Sequence, residues 1–180
     1  MSVVLNLAGA KIPGTEWRRV NLNNAKLAGT NFSRSNFEGT ALNNADLRGA
    51  VLDNANLESA VLNNAELQGA SLRGAKLNHA VFNNADLREA DLSNARLVSA
   101  VFNNAELIGA ILDGADLTGA VFNNAEFDGV VFSGTVLSKA IMNNASLKGA
   151  DLRKAIGLTK TQVNSARTDE TTLLPEGLLE

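Results

Sequence analysis

ALNNADLRGAVLDNANLESAVLNNAEL, residues 41–67, carries two periods at once. An apolar residue recurs every fifth position, at Leu42, Leu47, Leu52, Leu57, Leu62 and Leu67. Ala precedes the later ones by two places, and the pair Asn-Asn returns after twenty residues, at 43–44 and 63–64. A period of five fits neither an α-helix at 3.6 nor a plain strand at 2. It fits a short extended segment followed by a corner. In extended backbone, residues two apart point to one side, so Ala and Leu face inward together and the residue between them faces out. The two residues after Leu then make the turn.

The register runs far beyond this stretch. Apolar centres fall at every fifth residue from Leu7 to Leu152, thirty in succession, and they include all seven Phe of the chain. The small inward slot, from Ala10 to Ala155, is Ala except at Thr15, Val20, Thr30, Ser35, Thr40, Val130 and Thr135. The second turn residue is Gly or Asn in 22 of 30 cases, the two types best suited to positive φ. Pro13-Gly14 follows the residue order of a type II turn. Asn-Asn recurs from 23–24 to 143–144 at intervals of twenty. Four pentapeptides therefore make one four-sided coil, and like positions stack coil on coil. Thirty pentapeptides make about 7.5 coils, a rod roughly 36 Å long at a rung spacing of about 4.8 Å.

Composition narrows the functions open to such a rod. The 180 residues suffice for one domain with a substantial core. A formal charge of −3 gives no basic footprint for direct nucleic-acid binding. The absence of Cys removes disulfides, thiolate metal sites and thiol catalysis. The opening Met1-Ser2-Val3-Val4-Leu5 lacks the features of a secretory signal, and no run is long enough to span a membrane. The expectation is a cytoplasmic protein that is not membrane-bound.

The units ADLRG, ANLES, AELQG and ADLTG resemble the A(D/N)LXX motif of the pentapeptide repeat proteins, a family abundant in cyanobacteria. The resemblance covers about residues 7–156 without an insertion. It implies an all-β fold, a right-handed quadrilateral parallel β-helix with a narrow, filled interior. Residues 1–6 are read as a lead-in, 7–156 as the β-helix, and 157–180 as a C-terminal cap. Within that cap, Thr159-x-x-Gln162 reads as a capping box opening a short α-helix to about Arg167. Thr171–Pro175 reads as a strap returning over the last coil. The first six residues offer no comparable lid, so the first coil is expected to be uncovered or covered by a second copy of the chain.

Stacking converts the sequence into columns of candidate site residues. Outward positions Val61, Val81, Val101, Val121 and Ile141 form an apolar row, a candidate docking surface for a protein partner or second subunit. The same row is explained without a partner by the β-propensity of Val. Beside it lie Asn63, Asn83, Asn103 and Asn123, which serve either recognition or simple amide stacking. The next side aligns Asp46, Glu66, Asp86, Glu106 and Glu126. Stacked like charges oppose one another, and two readings compete. Arg48, Arg88 and other neighbours neutralise the row as an ordinary solvated face, or the row imitates the phosphates of one DNA strand. Some members of the family are DNA mimics that bind DNA gyrase and protect it from quinolones. This chain departs from them in its small net charge and in having no loop inserted between coils.

No catalytic constellation accompanies the columns. His79, the only His, falls in a turn slot facing solvent and makes neither a metal site nor a triad alone. The carboxylates lie on rigid outer columns, and the glycines belong to the turn register, not to a phosphate loop. Asn31-Phe32-Ser33 and Asn144-Ala145-Ser146 match the glycosylation sequon, without a secretion signal to give them use. No cofactor, metal or catalytic residue is expected. The function expected is a non-enzymatic scaffold that binds another protein, with a homodimer formed through the first coil or a flat face. The alternatives are a gyrase-directed DNA mimic and a passive spacer. Carbohydrate or ice binding suits flat rows but lacks the expected Thr columns.

Overall fold

The computed structural model describes residues 4–178. The first three residues of the expected lead-in and the last two of the chain lie outside the described residues. From Asn6 onward the chain repeats one outward bridge residue, one inward centre and a two-residue turn. From Asn6 to Val136 the outward residues bridge in parallel to the residue twenty positions later, as in Val61 to Val81 and Glu66 to Asp86, with Ile111 the exception. The extended segments are too short to form conventional strands, so the sheets are columns of single parallel bridges on four sides. Three backbone bonds join successive coils at an intact side, exemplified by Phe82 N to Val101 O at 2.7 Å, Asn84 N to Asn103 O at 2.9 Å and Val101 N to Ala80 O at 2.9 Å. This pairing satisfies the main chain without long strands.

Positive φ recurs in the second turn slot, from Gly9 at 71° to Gly149 at 65°. It holds even where the slot carries Arg19, Ser59, Glu89 or Lys139, with φ between 56° and 59°. The coil thus imposes a left-handed conformation that such residues disfavour by about 1–2 kcal/mol each. Tertiary pairing wins over local preference at these corners.

The interior is a filled column. From Leu27 to Leu152 the apolar centres are buried, and the Ala slots beside them are buried with few exceptions. Phe82 stacks on Phe102 with centroids 4.8 Å apart, and Phe102 on Phe122 at 5.3 Å. Thr30, Thr40 and Thr135 replace Ala without leaving a bare hydroxyl. Each donates to a centre carbonyl of the preceding coil, Leu7, Trp17 and Leu112, at 2.6–2.8 Å. Val130 has no such accommodation. It occupies an Ala-sized slot in the coil that also holds Phe122, Phe127 and Phe132. Beside it the ladder is interrupted: the amides of Gly109, Leu112 and Val131 make no bonds to the neighbouring coil, whereas Leu107 and Gly114 on either side do, at 2.8 and 2.9 Å. We attribute the opening to overfilling, since added methylenes in a packed core push backbones apart.

At the C-terminal end, α1 spans Lys160–Ser165, opened by Thr159 in a capping box with Gln162. The Gln162 amide donates to the carbonyls of Leu137 and Ala140 at 2.8 and 2.9 Å. The helix stops two residues short of the expected Arg167 because that residue is extended, bridging to Ser146. Leu173 bridges to Asp151 in the same way, and the Thr172 hydroxyl donates to Leu147 O at 2.9 Å. A 3-10 turn, Glu176–Leu178, follows.

Candidate functional site

Three columns expected from the sequence can be followed through the structure. Val61, Val81, Val101, Val121 and Ile141 bridge one to the next without interruption. The four Val are half-buried by the residues stacked above and below, and Ile141 is exposed. Behind them stand the Phe82, Phe102 and Phe122 rings and the buried Ala80, Ala100 and Ala120. The result is a rigid, flat apolar row with no gap in its backbone.

At the adjoining corner the Asn side chains bond mainly to one another. Asn103 Nδ2 donates to Asn83 Oδ1 and Asn123 Nδ2 to Asn103 Oδ1, both at 3.0 Å. The outer residues of the pairs do the same, as from Asn104 to Asn84 at 3.1 Å. Stacked amides hold the corner together, the use that in-register Asn commonly serves. The ladder breaks above Asn63 and Asn123, whose Oδ1 atoms are buried without a hydrogen-bond partner.

The acidic row is partly offset, two Arg side chains meeting five carboxylates. Arg48 bonds Asp46 at 2.7 Å and reaches Glu66 at 3.2 Å. Arg88 pairs with Asp86 and reaches Glu106 at 3.3 Å. The Arg48 hydrogen bond holds the Asp46 carboxyl below its ordinary range. For Asp86, burial pushes the pKa up, but bonds from Arg88 and Gln68 outweigh it and the net direction is down. Each Arg thus spans two coils and two carboxylates. Glu126 has no ion pair among the described residues.

His79 is exposed in its turn with φ at 60°, as the five-residue register requires. Among the described residues no group of three or more His, Cys, Asp or Glu side chains gathers to hold a metal ion. Nor is any helix there long and apolar enough to cross a membrane. The opened rung was not expected from the sequence; there Ile111 and Val131 are 44% and 51% exposed on either side of the unpaired backbone. Its signal was Val130 in a column otherwise nearly all Ala.

Comparison with known proteins agrees with this architecture. The family described as "Pentapeptide repeat region" matches residues 15–92, and that described as "Pentapeptide repeats (8 copies)" matches 100–138 and 115–153. The chain belongs to the pentapeptide repeat proteins. Among solved structures it is similar to HetL from the cyanobacterium Nostoc sp. strain PCC 7120, a protein involved in heterocyst differentiation regulation. That match has 26% identity, covers 97% of this chain and 91% of the other, and has a TM-score of 0.40. It is also similar to QnrB1, a plasmid-mediated fluoroquinolone resistance protein, with 23% identity, 92% and 86% coverage and a TM-score of 0.43. Rfr23 from the cyanobacterium Cyanothece 51142 is 21% identical, with 94% and 88% coverage and a TM-score of 0.31. No curated protein matches the chain.

Proposed function

We propose that this protein is a non-enzymatic scaffold that binds another protein along the row Val61, Val81, Val101, Val121 and Ile141, flanked by Asn63, Asn83, Asn103 and Asn123. The observation that carries the reading is the unbroken alignment of five apolar residues on one flat side. Among the outward columns this one alone is apolar over five consecutive coils. Rigid apolar rows rimmed by polar side chains suit a partner that lays a flat face or extended segment along them. The reading takes the rod as right-handed, as the family resemblance implies, and as cytoplasmic. It has about 7.5 coils over residues 7–156, residues 157–180 cover one end, and a second copy covers the first coil.

The acidic row Asp46, Glu66, Asp86, Glu106 and Glu126 is the weaker site, because Arg48 and Arg88 offset the repeated charge that DNA mimicry needs. The test compares lysate pull-downs by the wild type and by a Val81→Lys, Val101→Lys, Val121→Lys variant, both shown to be folded by circular dichroism. A partner kept by the wild type and lost by the variant supports the row. Equal retention by both moves the site elsewhere, and inhibition of gyrase supercoiling by both would favour the acidic side. Absence of any partner favours a spacer.

A further inference from the structure

The opened rung leaves six backbone groups facing one another between two coils. The coil of Ile111 presents the amides of Gly109 and Leu112 and the carbonyl of Ala110. The coil of Val131 presents the carbonyls of Asp128 and Val131 and the amide of Val131. None finds a hydrogen-bond partner among the described residues. Backbone groups withdrawn from water are almost always paired, so an unpaired set gathered at one place asks for a reason. A cleft of about 390 Å³ lies over it, lined by Gly109, Ala110, Ile111, Asp113 and Val131. The mouth is apolar, since Ile108, Ile111 and Val131 are all exposed there.

The pattern of these groups specifies what fits between them. Each coil offers both donors and acceptors, so a complement must accept from one coil and donate to the other. A carboxylate accepts only, and it would face three carbonyls and the Asp113 side chain, which has no ion pair among the described residues. An ammonium or guanidinium donates only, and leaves three N–H groups unanswered. Amides and hydroxyls do both. An amide carries its acceptor and donors on one flat head at the end of an apolar stem, which suits a cleft with an apolar mouth. A polyol brings polar surface to that mouth, where nothing pairs with it.

We propose that the opened rung is a binding site for an amide side chain, Asn or Gln, carried on an apolar segment of a partner protein. The amide oxygen accepts from Gly109 or Leu112, and the NH2 group donates to the carbonyl of Asp128 or Val131. One side chain thus bridges the coils as the ladder bonds do elsewhere, while Ile108, Ile111 and Val131 cover the apolar residues flanking it. The cleft is built in advance. Val130, set among Phe122, Phe127 and Phe132, holds the coils apart, so binding need not open them. Water can bridge the same groups, but an amide that reproduces those bonds and adds apolar contact displaces it with a gain. The site lies two sides round from the row of Val61 to Ile141 and does not depend on it.

The test titrates the blocked tripeptide acetyl-Val-Gln-Val-amide into the full chain, followed by backbone amide NMR, beside counterparts with Glu, Met or Lys in the middle. All four share their backbone and flanking Val, so only the central head group differs. The Gln peptide is expected to shift the Gly109, Leu112 and Val131 amides and to bind at least about tenfold tighter than the others, whose heads leave part of the set unpaired. Val130→Ala, which should close the rung, is expected to abolish those shifts, and slowed exchange at the same amides shows independently that it has closed. Ile111→Lys, Val131→Lys alters only exposed side chains and should weaken the Gln peptide at least about tenfold by removing the apolar mouth; if Val130→Ala fails to close the rung, this variant decides. The Val81→Lys, Val101→Lys, Val121→Lys variant should bind the peptide like the wild type, which separates this site from the flat row. Equal binding of the Gln and Met peptides would mean apolar adsorption alone and overturn the amide assignment. Preference for the Lys peptide would put the Asp113 carboxylate in charge and overturn it too. A closed rung that still binds, or no shift with any peptide at about 10 mM, overturns the site itself.

Discussion

The side carrying Val61 to Val121 and the side carrying Ile111 and Val131 present similar outward residues but very different ladders. On the first, each Val bridges to the next and the bonds between coils are 2.7–2.9 Å. On the second, the bonds expected from Gly109, Leu112 and Val131 are missing. The outward side chains are apolar and β-branched in both places, so β-propensity does not separate them. The inward slots do. Ala80, Ala100 and Ala120 lie behind the first side, and Val130 lies behind the second among three Phe. Ladder continuity in this rod is set by interior volume.

Four experiments test that contrast, starting with the largest effect. Phe102→Ala removes the middle ring of the stack behind the Val row and should cost about 3–5 kcal/mol through the cavity it leaves, read by denaturant unfolding. Ala85→Leu overfills an Ala slot behind the acidic side, at an expected cost of about 1–3 kcal/mol. It should also expose a new opened rung, seen as faster amide exchange at Asp86, which now donates to Ala65 O at 3.0 Å. If Ala85→Leu leaves stability and exchange unchanged, interior volume does not govern the ladder.

Val130→Ala works in the opposite direction. The lost methyls cost burial while three regained bonds contribute about 0.5–1.5 kcal/mol each, so the net stability change is small. The decisive readout is amide exchange, which should slow at Gly109, Leu112 and Val131 and stay as it was at Leu107 and Gly114. The smallest effect belongs to Asp151, which pairs below Val131. Arg153 hydrogen bonds hold its carboxyl at a pKa of about 2. A folded-state pKa below the unfolded value of about 3.9 stabilises fully above that value and is lost as pH falls through about 2. Asp151→Asn should flatten that part of the acid-unfolding profile, with a modest effect at neutral pH because the pair is solvent-exposed.

Much of this architecture is legible in sequence because each coil repeats the same physical problem. The five-residue spacing of Leu and Ala fixes which side chains face inward, and Asn-Asn every twenty residues fixes the number of sides. What escaped that reading depends on neighbours in adjacent coils. Val130 is unremarkable alone and becomes a wedge only beside Phe122, Phe127 and Phe132. Arg48 is legible as a cation beside the acidic row, but that it ties Asp46 to Glu66 a coil away shows only in the stacked coils. Arg167 lies within the predicted helix by local pattern, but pairing with Ser146 draws it into extended backbone. The turn slots at Arg19 and Glu89 teach the same lesson, since neither residue would choose positive φ unaided. The candidate rows are legible to the residue, whereas the partner is not, because no periodic feature encodes it.

The opened rung also bears on how the rod comes apart. In a solenoid, stability is a chain of nearest-neighbour couplings, and cooperativity passes from one repeat to the next only as strongly as the weakest coupling allows. The contact between the coil ending near Ala120 and the coil beginning at Val121 lacks three bonds on one side. That contact is the natural fault line of the molecule. Under heat or force, the last coils with α1 are expected to unfold as one block and the coils before Ala120 as another, which a two-step unfolding trace would show and a single step would contradict.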